Sequence, residues 1–142
     1  MNVEFWIKKG ALRIRQKDSE KIKSMVNSAQ INLKVVKDIK INEHTATLIF
    51  REVYESIRQL GDAKLWALGY EPLNHDVSME VLKEYNIKER VKLNSLDRIK
   101  KIRHDINYRG FRASIEQARE IIEFWDKCCV DIVGILKKEV KK

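Results

Sequence analysis

Arg103, His104 and Tyr108 lie within one stretch of six residues and carry a guanidinium, an imidazole and a phenol. A guanidinium binds phosphate through paired hydrogen bonds, and an imidazole exchanges protons near neutral pH. Arg103 follows Ile99 by four residues and precedes Ile106 by three, so it lies on or beside the apolar stripe of a helix. Because burial of an unpaired charge is costly, we expect the guanidinium to snorkel, to pair with a carboxylate inside the fold, or to face a second subunit.

Two interpretations of this cluster stay open. Asn107 lies one turn after Arg103 and shares its side of the helix. In the first interpretation Arg103 is structural and bonds terminal carbonyls or a glutamate. In the second, the polar side chains form an exposed cluster at a groove and grip a phosphate group.

Positive charge is concentrated around the cluster. The chain has 29 lysines and arginines against 21 acidic residues, a net charge of +8 at pH 7. Residues 88–112 hold nine of these cations and three of the acids. Such an excess favours a polyanionic partner, nucleic acid first. A solvated helix face or adaptation to heat would give the same charge.

Several other chemistries lose support from what the sequence lacks. It has no Cys-x-x-Cys, no His-x-x-x-His and no glycine-rich phosphate loop, so neither a metal nor a cofactor is predicted. The adjacent Cys128 and Cys129 point about 100° apart on a helix, which predicts reduced, buried thiols. No apolar run reaches the ~18–20 residues of a membrane span and no secretory signal is found, so we expect a cytoplasmic protein without a membrane partner.

The elements that position the cluster are predicted to be helices. Apolar residues recur three and four apart in four segments, and the chain has five glycines and one proline. We therefore predict an all-α fold, an up-and-down four-helix bundle with additional short helices and no strand. Residues 1–142 form a single domain, in which residues 1–17 are an N-terminal extension of uncertain structure. Gly61, inside the second long helix, indicates close approach by a neighbouring helix.

Local signals predict the helix ends and the role of several aromatic residues. Trp66 and Trp125 are expected in the core or at a dimer contact, whereas Tyr70 and His75 are expected to pack an inter-helix loop outside the site. The third long helix, the fourth helix in chain order, is predicted from about Val91 to Asn107. The predicted capping and stop residues are, in chain order, Asp18, Asn42, Gly69, Asn74 or Asp76, Gly110 and the Ser114–Gln117 capping box.

Two segments of the sequence resemble HEPN domains (higher eukaryotes and prokaryotes nucleotide-binding). Residues 102–108, Ile-Arg-His-Asp-Ile-Asn-Tyr, followed by Gly110 and a capped helix, are similar to the family's motif region. Residues 68–75, Leu-Gly-Tyr-Glu-Pro-Leu-Asn-His, are similar to a Gly-Tyr-x-Pro-x-x-His loop of some members. The resemblance covers the chain from about Asp18 to its end and is greatest to small archaeal stand-alone members.

The resemblance implies a four-helix bundle that dimerises with the motif helices of its two subunits facing each other. Many members are metal-independent RNases whose motif is an Arg, a polar residue and a His after four to six residues. The Arg corresponds to Arg103 and the polar residue to His104. The final His has no counterpart, because gaps of four, five and six give Tyr108, Arg109 and Gly110. Tyrosine, with a pKa near about 10, is a poor base at neutral pH.

A second register of the motif has the required spacing. Arg98 and His104 are separated by five residues. Its second position, which is usually polar in the family, is then Ile99. Arg98 and His104 would also lie roughly 120° apart around one helix. We rank this register below the one that begins at Arg103.

The function that these observations favour is a HEPN-like homodimer that binds RNA or nucleotide at a dimer-interface groove. Its motif is a degenerate Arg-x4-Tyr, so weak or no cleavage is expected. One alternative is an active, toxin-like metal-independent RNase in which His104 or Tyr108 replaces the missing His. Another is a non-catalytic helical partner of a minimal nucleotidyltransferase. The predicted catalytic residues are Arg103, His104 and Tyr108, and the predicted nucleic-acid contacts are Arg103, Asn107, Lys100, Lys101, Arg109 and Arg112.

Overall fold

The computed structural model describes residues 1–141 and confirms an all-α fold with a helical bundle. Four long helical segments and two short helices make up most of it, with a 3-10 turn before the α-helix of the third long segment. The helices are α1 (Val3–Lys8), α2 (Ser19–Lys37), α3 (Ala46–Ala67), α4 (His75–Leu82), α5 (Leu96–Arg109), α6 (Ile115–Phe124) and α7 (Val130–Val140), and the 3-10 turn spans Arg90–Ser95.

Helix α3 is the centre of the bundle. It packs against α2 along its length and also contacts α4, α5, α6 and α7. Its buried residues therefore lie on several sides and include Ser56, Gly61 and Asp62 as well as the apolar stripe. The main core is continuous from α2 through α7, and it contains both Trp66 and Trp125, as the sequence predicts.

Gly61 is the point where α4 crosses α3 most closely. A Cβ atom placed on Gly61 would lie only 2.0 Å from the backbone oxygen of Ser78 in α4. Any side chain at this position would therefore force the two helices apart, which confirms the predicted close approach.

The prediction that the chain has no strand is wrong for two short segments. Strand β1 (Leu12–Ile14) pairs antiparallel with β2 (Tyr70–Pro72), and Arg13 lies opposite Glu71. Strands of three residues are too short to show an alternating pattern, so the sequence carries no signal for them. The pair fixes residues 1–17, whose structure the sequence left uncertain, against α3 and α4 through a small apolar cluster that includes Trp6 and Leu12.

Most of the predicted helix ends are confirmed. Asp18 and Asn74 accept hydrogen bonds at the first turns of α2 and α4, Gly110 ends α5 in the left-handed conformation, and Ser114 forms a capping box with Gln117. Asn42 does not cap α3, which begins three residues later than that prediction. Its side-chain oxygen instead accepts from the amides of His44 and Thr45, closing the turn that precedes the helix.

The last long segment is interrupted by a π-helical turn, Trp125–Cys129, between α6 and α7. This wider turn places Trp125, Cys128 and Cys129 all in the core. Both cysteines are free and fully buried, as predicted.

Candidate functional site

Arg103 lies at the contact between α5 and α3, half-buried, with 24% of its side chain exposed. Its guanidinium carbon is 5.2 Å from the centroid of the Tyr54 ring, and its Nη2 is 3.6 Å from Oε1 of Glu55. A carboxylate of the same chain thus pairs with this charge. Of the three arrangements expected from the sequence, the structure shows the pairing with a carboxylate inside the fold, so a second subunit is not needed to satisfy the charge.

Asn107 fixes the guanidinium from one turn further along α5. When the Asn107 amide is oriented with its oxygen toward Arg103, that oxygen accepts hydrogen bonds from Arg103 Nε at 3.1 Å and from Nη2 at 3.2 Å. The guanidinium is therefore held by a ring face, a carboxylate and an amide at once. Burial raises the pKa of the Tyr54 phenol, whereas the charge of Arg103 acts to lower it.

An open cleft of about 280 Å³ lies directly beside this guanidinium, and we refer to it as the Arg103 cleft. Lys100 and His104 reach it from α5, and Lys100 pairs with Asp76 at 2.8 Å. Its lining residues are Tyr54, Asn74, His75, Asp76, Lys100, Arg103, His104 and Tyr108. The structure therefore brings Arg103, His104, Tyr108 and Lys100 together in one site.

The rings of His104 and Tyr108 form an aromatic pair at the edge of the Arg103 cleft. Their centroids are 4.8 Å apart and their planes are inclined by 45°. The Tyr108 side chain is largely in solvent, with the residue 72% exposed. A planar group such as a nucleobase can stack on an exposed pair of this kind.

The structure corrects the prediction that His75 lies outside the site. His75 is the first residue of α4 and lines the Arg103 cleft. It is placed there by Asn74, whose side chain caps the helix by accepting from the amide of Val77 at 3.2 Å. Tyr70, by contrast, is in β2 and packs against the N-terminal cluster, away from the cleft lining.

A second, smaller cavity of about 130 Å³ adjoins the first and shares Asn74 and His75 with it. We refer to it as the Asp62 pocket. Arg58 and Asp62 are joined there by a hydrogen bond of 2.6 Å between Nη1 and Oδ2. Its full lining is Arg58, Asp62, Pro72, Leu73, Asn74 and His75.

The Asp62 pocket is connected to Arg103 through a chain of charged groups on α3. Arg58 donates to Glu55 at 2.8 Å and 3.1 Å, and Glu55 in turn pairs with Arg103. Burial raises the pKa of the Asp62 carboxyl, while the hydrogen bond from Ser78 and the charge of Arg58 lower it. The sequence analysis missed Arg58 and Asp62, although their spacing of four residues on a helix was an available signal.

The other predicted nucleic-acid contacts do not line either cavity. Lys101 is exposed on α5. Arg109 is also exposed, and its Nε is 3.9 Å from Oδ1 of Asp105. Arg112 is exposed in the following loop and donates to the backbone oxygen of His44 at 3.4 Å. These cations lie on the same helix and its C-terminal loop, so they add positive charge around the Arg103 cleft without forming part of it.

The structure does not bring together Arg98 and His104, the two ends of the alternative register. Arg98 is exposed and forms an ion pair with Glu120 of α6, whereas His104 lines the Arg103 cleft. The two residues therefore belong to different surfaces of α5.

Within residues 1–141 the structure contains no cluster of three histidine, cysteine or acidic side chains able to hold a metal ion. No helix in the same part of the chain is long and apolar enough to cross a bilayer. The thiols are not exposed nucleophiles, because both are buried. Burial raises the pKa of Cys128 to about 11 and raises the pKa of Cys129 well above its ordinary value.

The chemistry available at the site is anion binding beside exposed aromatic rings. Arg103 and Lys100 supply positive charge, His104 and Tyr108 supply a stacking surface, and His75 and His104 supply imidazoles. Comparison of the chain with protein-family models, with curated proteins and with solved structures finds no match in any of the three.

Proposed function

We propose that this protein is a HEPN-like homodimer that binds RNA or nucleotide through the Arg103 cleft, with weak or no cleavage. The observation that supports the proposal most is that Arg103 is held by neighbouring side chains and still lines an open cleft. Its guanidinium is contacted by Tyr54, Glu55 and Asn107, yet about a quarter of the side chain stays exposed and it lines an open cleft. An arginine held in this way is preorganised to receive a phosphate group.

The surroundings of the Arg103 cleft support a nucleic-acid ligand rather than a simple anion. The stretch from 88 to 112 has six more cations than acids, which attracts a polyanion over a distance. The exposed rings of His104 and Tyr108 offer a face for a base, which inorganic anions do not use.

A second candidate function is metal-independent RNA cleavage at the same cleft. It is favoured by one observation, the contact between the His104 imidazole and the Tyr108 phenol beside Arg103. His104 would exchange a proton with the attacking 2′-hydroxyl, and Arg103 would stabilise the charge on phosphorus. We rank it second because the motif position of the usual His is Tyr108.

The test is a salt titration of RNA binding. Fluorescence anisotropy of a labelled single-stranded RNA is measured against protein from about 50 to 200 mM salt. We expect the logarithm of the association constant to fall linearly with the logarithm of the salt concentration. The slope should be about −0.7 for each phosphate neutralised. Arg103→Ala should weaken binding about tenfold or more and reduce that slope by about 0.7.

Arg98→Ala is the matched control, since it removes an arginine from the same helix on a different surface. It should leave affinity close to that of the unmodified protein, apart from a small general loss of charge. Absence of RNA and nucleotide binding at about 50 mM salt, or binding that does not weaken with salt, would contradict the proposal. Absence of binding would instead favour the role of a helical partner for a nucleotidyltransferase.

A further inference from the structure

The geometry points to the Asp62 pocket as a base-recognition subsite selective for guanine, which reads the nucleotide whose phosphate lies at Arg103. This inference rests on the proposed function and extends it, because it assigns a second cavity and a base preference. It is carried by the position, charge, walls and spare hydrogen-bonding capacity of the pocket.

Position is the first argument. The Arg103 cleft and the Asp62 pocket adjoin and share Asn74 and His75, so one ligand can occupy both. Glu55, which pairs with Arg103, and Asp62 are seven residues apart on α3, about 10 Å along the helix axis. That separation is comparable to the length of one nucleotide from its phosphate to the far edge of its base.

Charge and shape distinguish the two cavities. The Arg103 cleft has Arg103 and Lys100 against Asp76, whereas the ion pair of Arg58 with Asp62 leaves the smaller pocket without excess charge. A second phosphate would meet a carboxylate there. The walls contributed by Pro72 and Leu73 are apolar, which suits the faces of a neutral, planar base.

Hydrogen-bonding capacity remains on both polar residues. A guanidinium has five N–H donors, and Arg58 uses three of them, two toward Glu55 and one toward Asp62. A carboxylate has about four acceptor sites, and Asp62 uses two of them, for Ser78 and Arg58. Two guanidinium donors and two carboxylate acceptor sites are therefore left for a ligand.

Guanine is the base that complements this pair best. Its Watson–Crick edge has the O6 acceptor next to two donors, the N1–H and the N2 amino group. O6 would accept from Arg58, and the two donors would bond the carboxylate of Asp62. The other bases present one donor at this edge, so a carboxylate gains less from them.

The pocket is also rigid, which recognition by hydrogen bonds requires. Ser78 donates to Asp62 from α4, directly at the crossing where Gly61 meets the Ser78 backbone. The carboxylate is thereby fixed from two helices before any ligand arrives.

The test compares labelled oligouridylates that carry a single guanosine, adenosine, cytidine or inosine in the middle. Affinities are measured by anisotropy with the full chain. We expect the guanosine oligomer to bind about tenfold more tightly than the others, with inosine weaker because it lacks the N2 amino group. Leu73→Trp, at an exposed pocket wall, should fill the pocket and reduce guanosine binding to the level of adenosine.

Two further variants complete the experiment. Leu68→Trp, at another exposed leucine outside both cavities, should retain the preference for guanosine. Asp62→Asn should lose it, with folding checked by circular dichroism. Equal binding of all four oligomers, or an unchanged preference in Leu73→Trp, would overturn the base pocket while leaving the proposed function intact. Failure of every oligomer to bind would instead remove the proposed function.

Discussion

The guanidinium of Arg103 lies over the ring of Tyr54, with 5.2 Å between the guanidinium carbon and the ring centroid. Tyr54 is almost fully buried in α3, so the contact joins a core residue to the most polar part of α5. The ring covers part of the guanidinium, and the Arg103 side chain keeps 24% of its surface exposed while it lines the Arg103 cleft. A lysine at this position would keep the charge but would lack the planar, multi-donor group that contacts both Tyr54 and Asn107.

Arg103→Lys should therefore bind RNA less well than the unmodified protein but better than Arg103→Ala. Lysine keeps the charge and loses the stacked plane and the paired hydrogen bonds, which predicts a loss of roughly 2- to 10-fold. The salt dependence should stay the same, because the number of neutralised phosphates does not change. Titration by anisotropy measures both quantities. Affinity equal to that of the unmodified protein would show that a point charge is sufficient at this position and would contradict the prediction.

Incubation of labelled RNA with the protein in EDTA should show slow cleavage or none. A well-tuned general acid or base contributes about 10²–10⁴ to a rate, and Tyr108 is a poor substitute for an imidazole at pH 7. Any residual cleavage should disappear in Arg103→Ala and fall in His104→Ala. Gel analysis of the products is sufficient. Rapid cleavage that both variants abolish would establish the second candidate function in place of the first.

Light scattering at micromolar concentration should give twice the chain mass. In the proposed homodimer the ligand groove lies at the interface, so we expect the exposed Tyr108 at the end of α5 to border both the ligand and the partner subunit. Tyr108→Glu should shift the mass toward that of a monomer. Val91→Glu, at an exposed residue of the 3-10 turn outside the cleft, is the control and should not. A monomer at all concentrations would refute the dimer and leave the cleft within one chain as the whole site.

Gly61→Ala should lower the free energy of unfolding by about 2 kcal/mol or more. Overpacking against the Ser78 backbone costs about 1–3 kcal/mol and sometimes more, and a Cβ at 2.0 Å is an extreme case that outweighs the gain in helix propensity. Gly134→Ala in α7 is the control, because nothing lies within 4 Å of its Cβ position. That variant should be more stable by up to about 1 kcal/mol. Urea denaturation compares the two.

The buried thiols should resist a disulfide reagent at pH 8 in the native protein, and both should react in guanidinium chloride. The pKa of Cys128 is raised by burial from 9.0 to about 11. Between these two values the native chain binds more protons than the unfolded chain, so the free energy of unfolding falls as the pH rises through this window. In Cys128→Ala the free energy of unfolding should fall less over the same pH range. Reaction of the native thiols at the rate of a free thiol would contradict their burial.

Sequence reasoning was most successful where the signal is local. The Ser114–Gln117 capping box and the stop at Gly110 depend on residues within one turn of each other. The polar cluster on α5 was also visible, because Arg103, His104 and Tyr108 share one helix. Gly61 was informative because glycine weakens a helix interior, so its presence in the middle of an apolar helix indicates a tight contact.

The missed features depend on contacts between distant segments. His75 enters the cleft because α4 packs on α3, and the capping residue Asn74 predicts where α4 begins but not which helix it packs against. Arg58 and Asp62 have the spacing of an ordinary surface pair, and only the packing of α4 covers one side of them. The small sheet likewise depends on the chain's first residues meeting a loop about sixty positions later.

That sheet connects the start of the chain to the site. The backbone of Ala11 accepts from the amide of Leu73 at 2.8 Å, and Gly69 accepts from the amide of Arg15 at 2.9 Å, so residues 11–15 bracket the whole of β2. Asn74 and His75 follow immediately. A bulky fusion or a cut near residue 10 would therefore loosen one wall of both cavities, and affinity tags are better attached elsewhere on this chain.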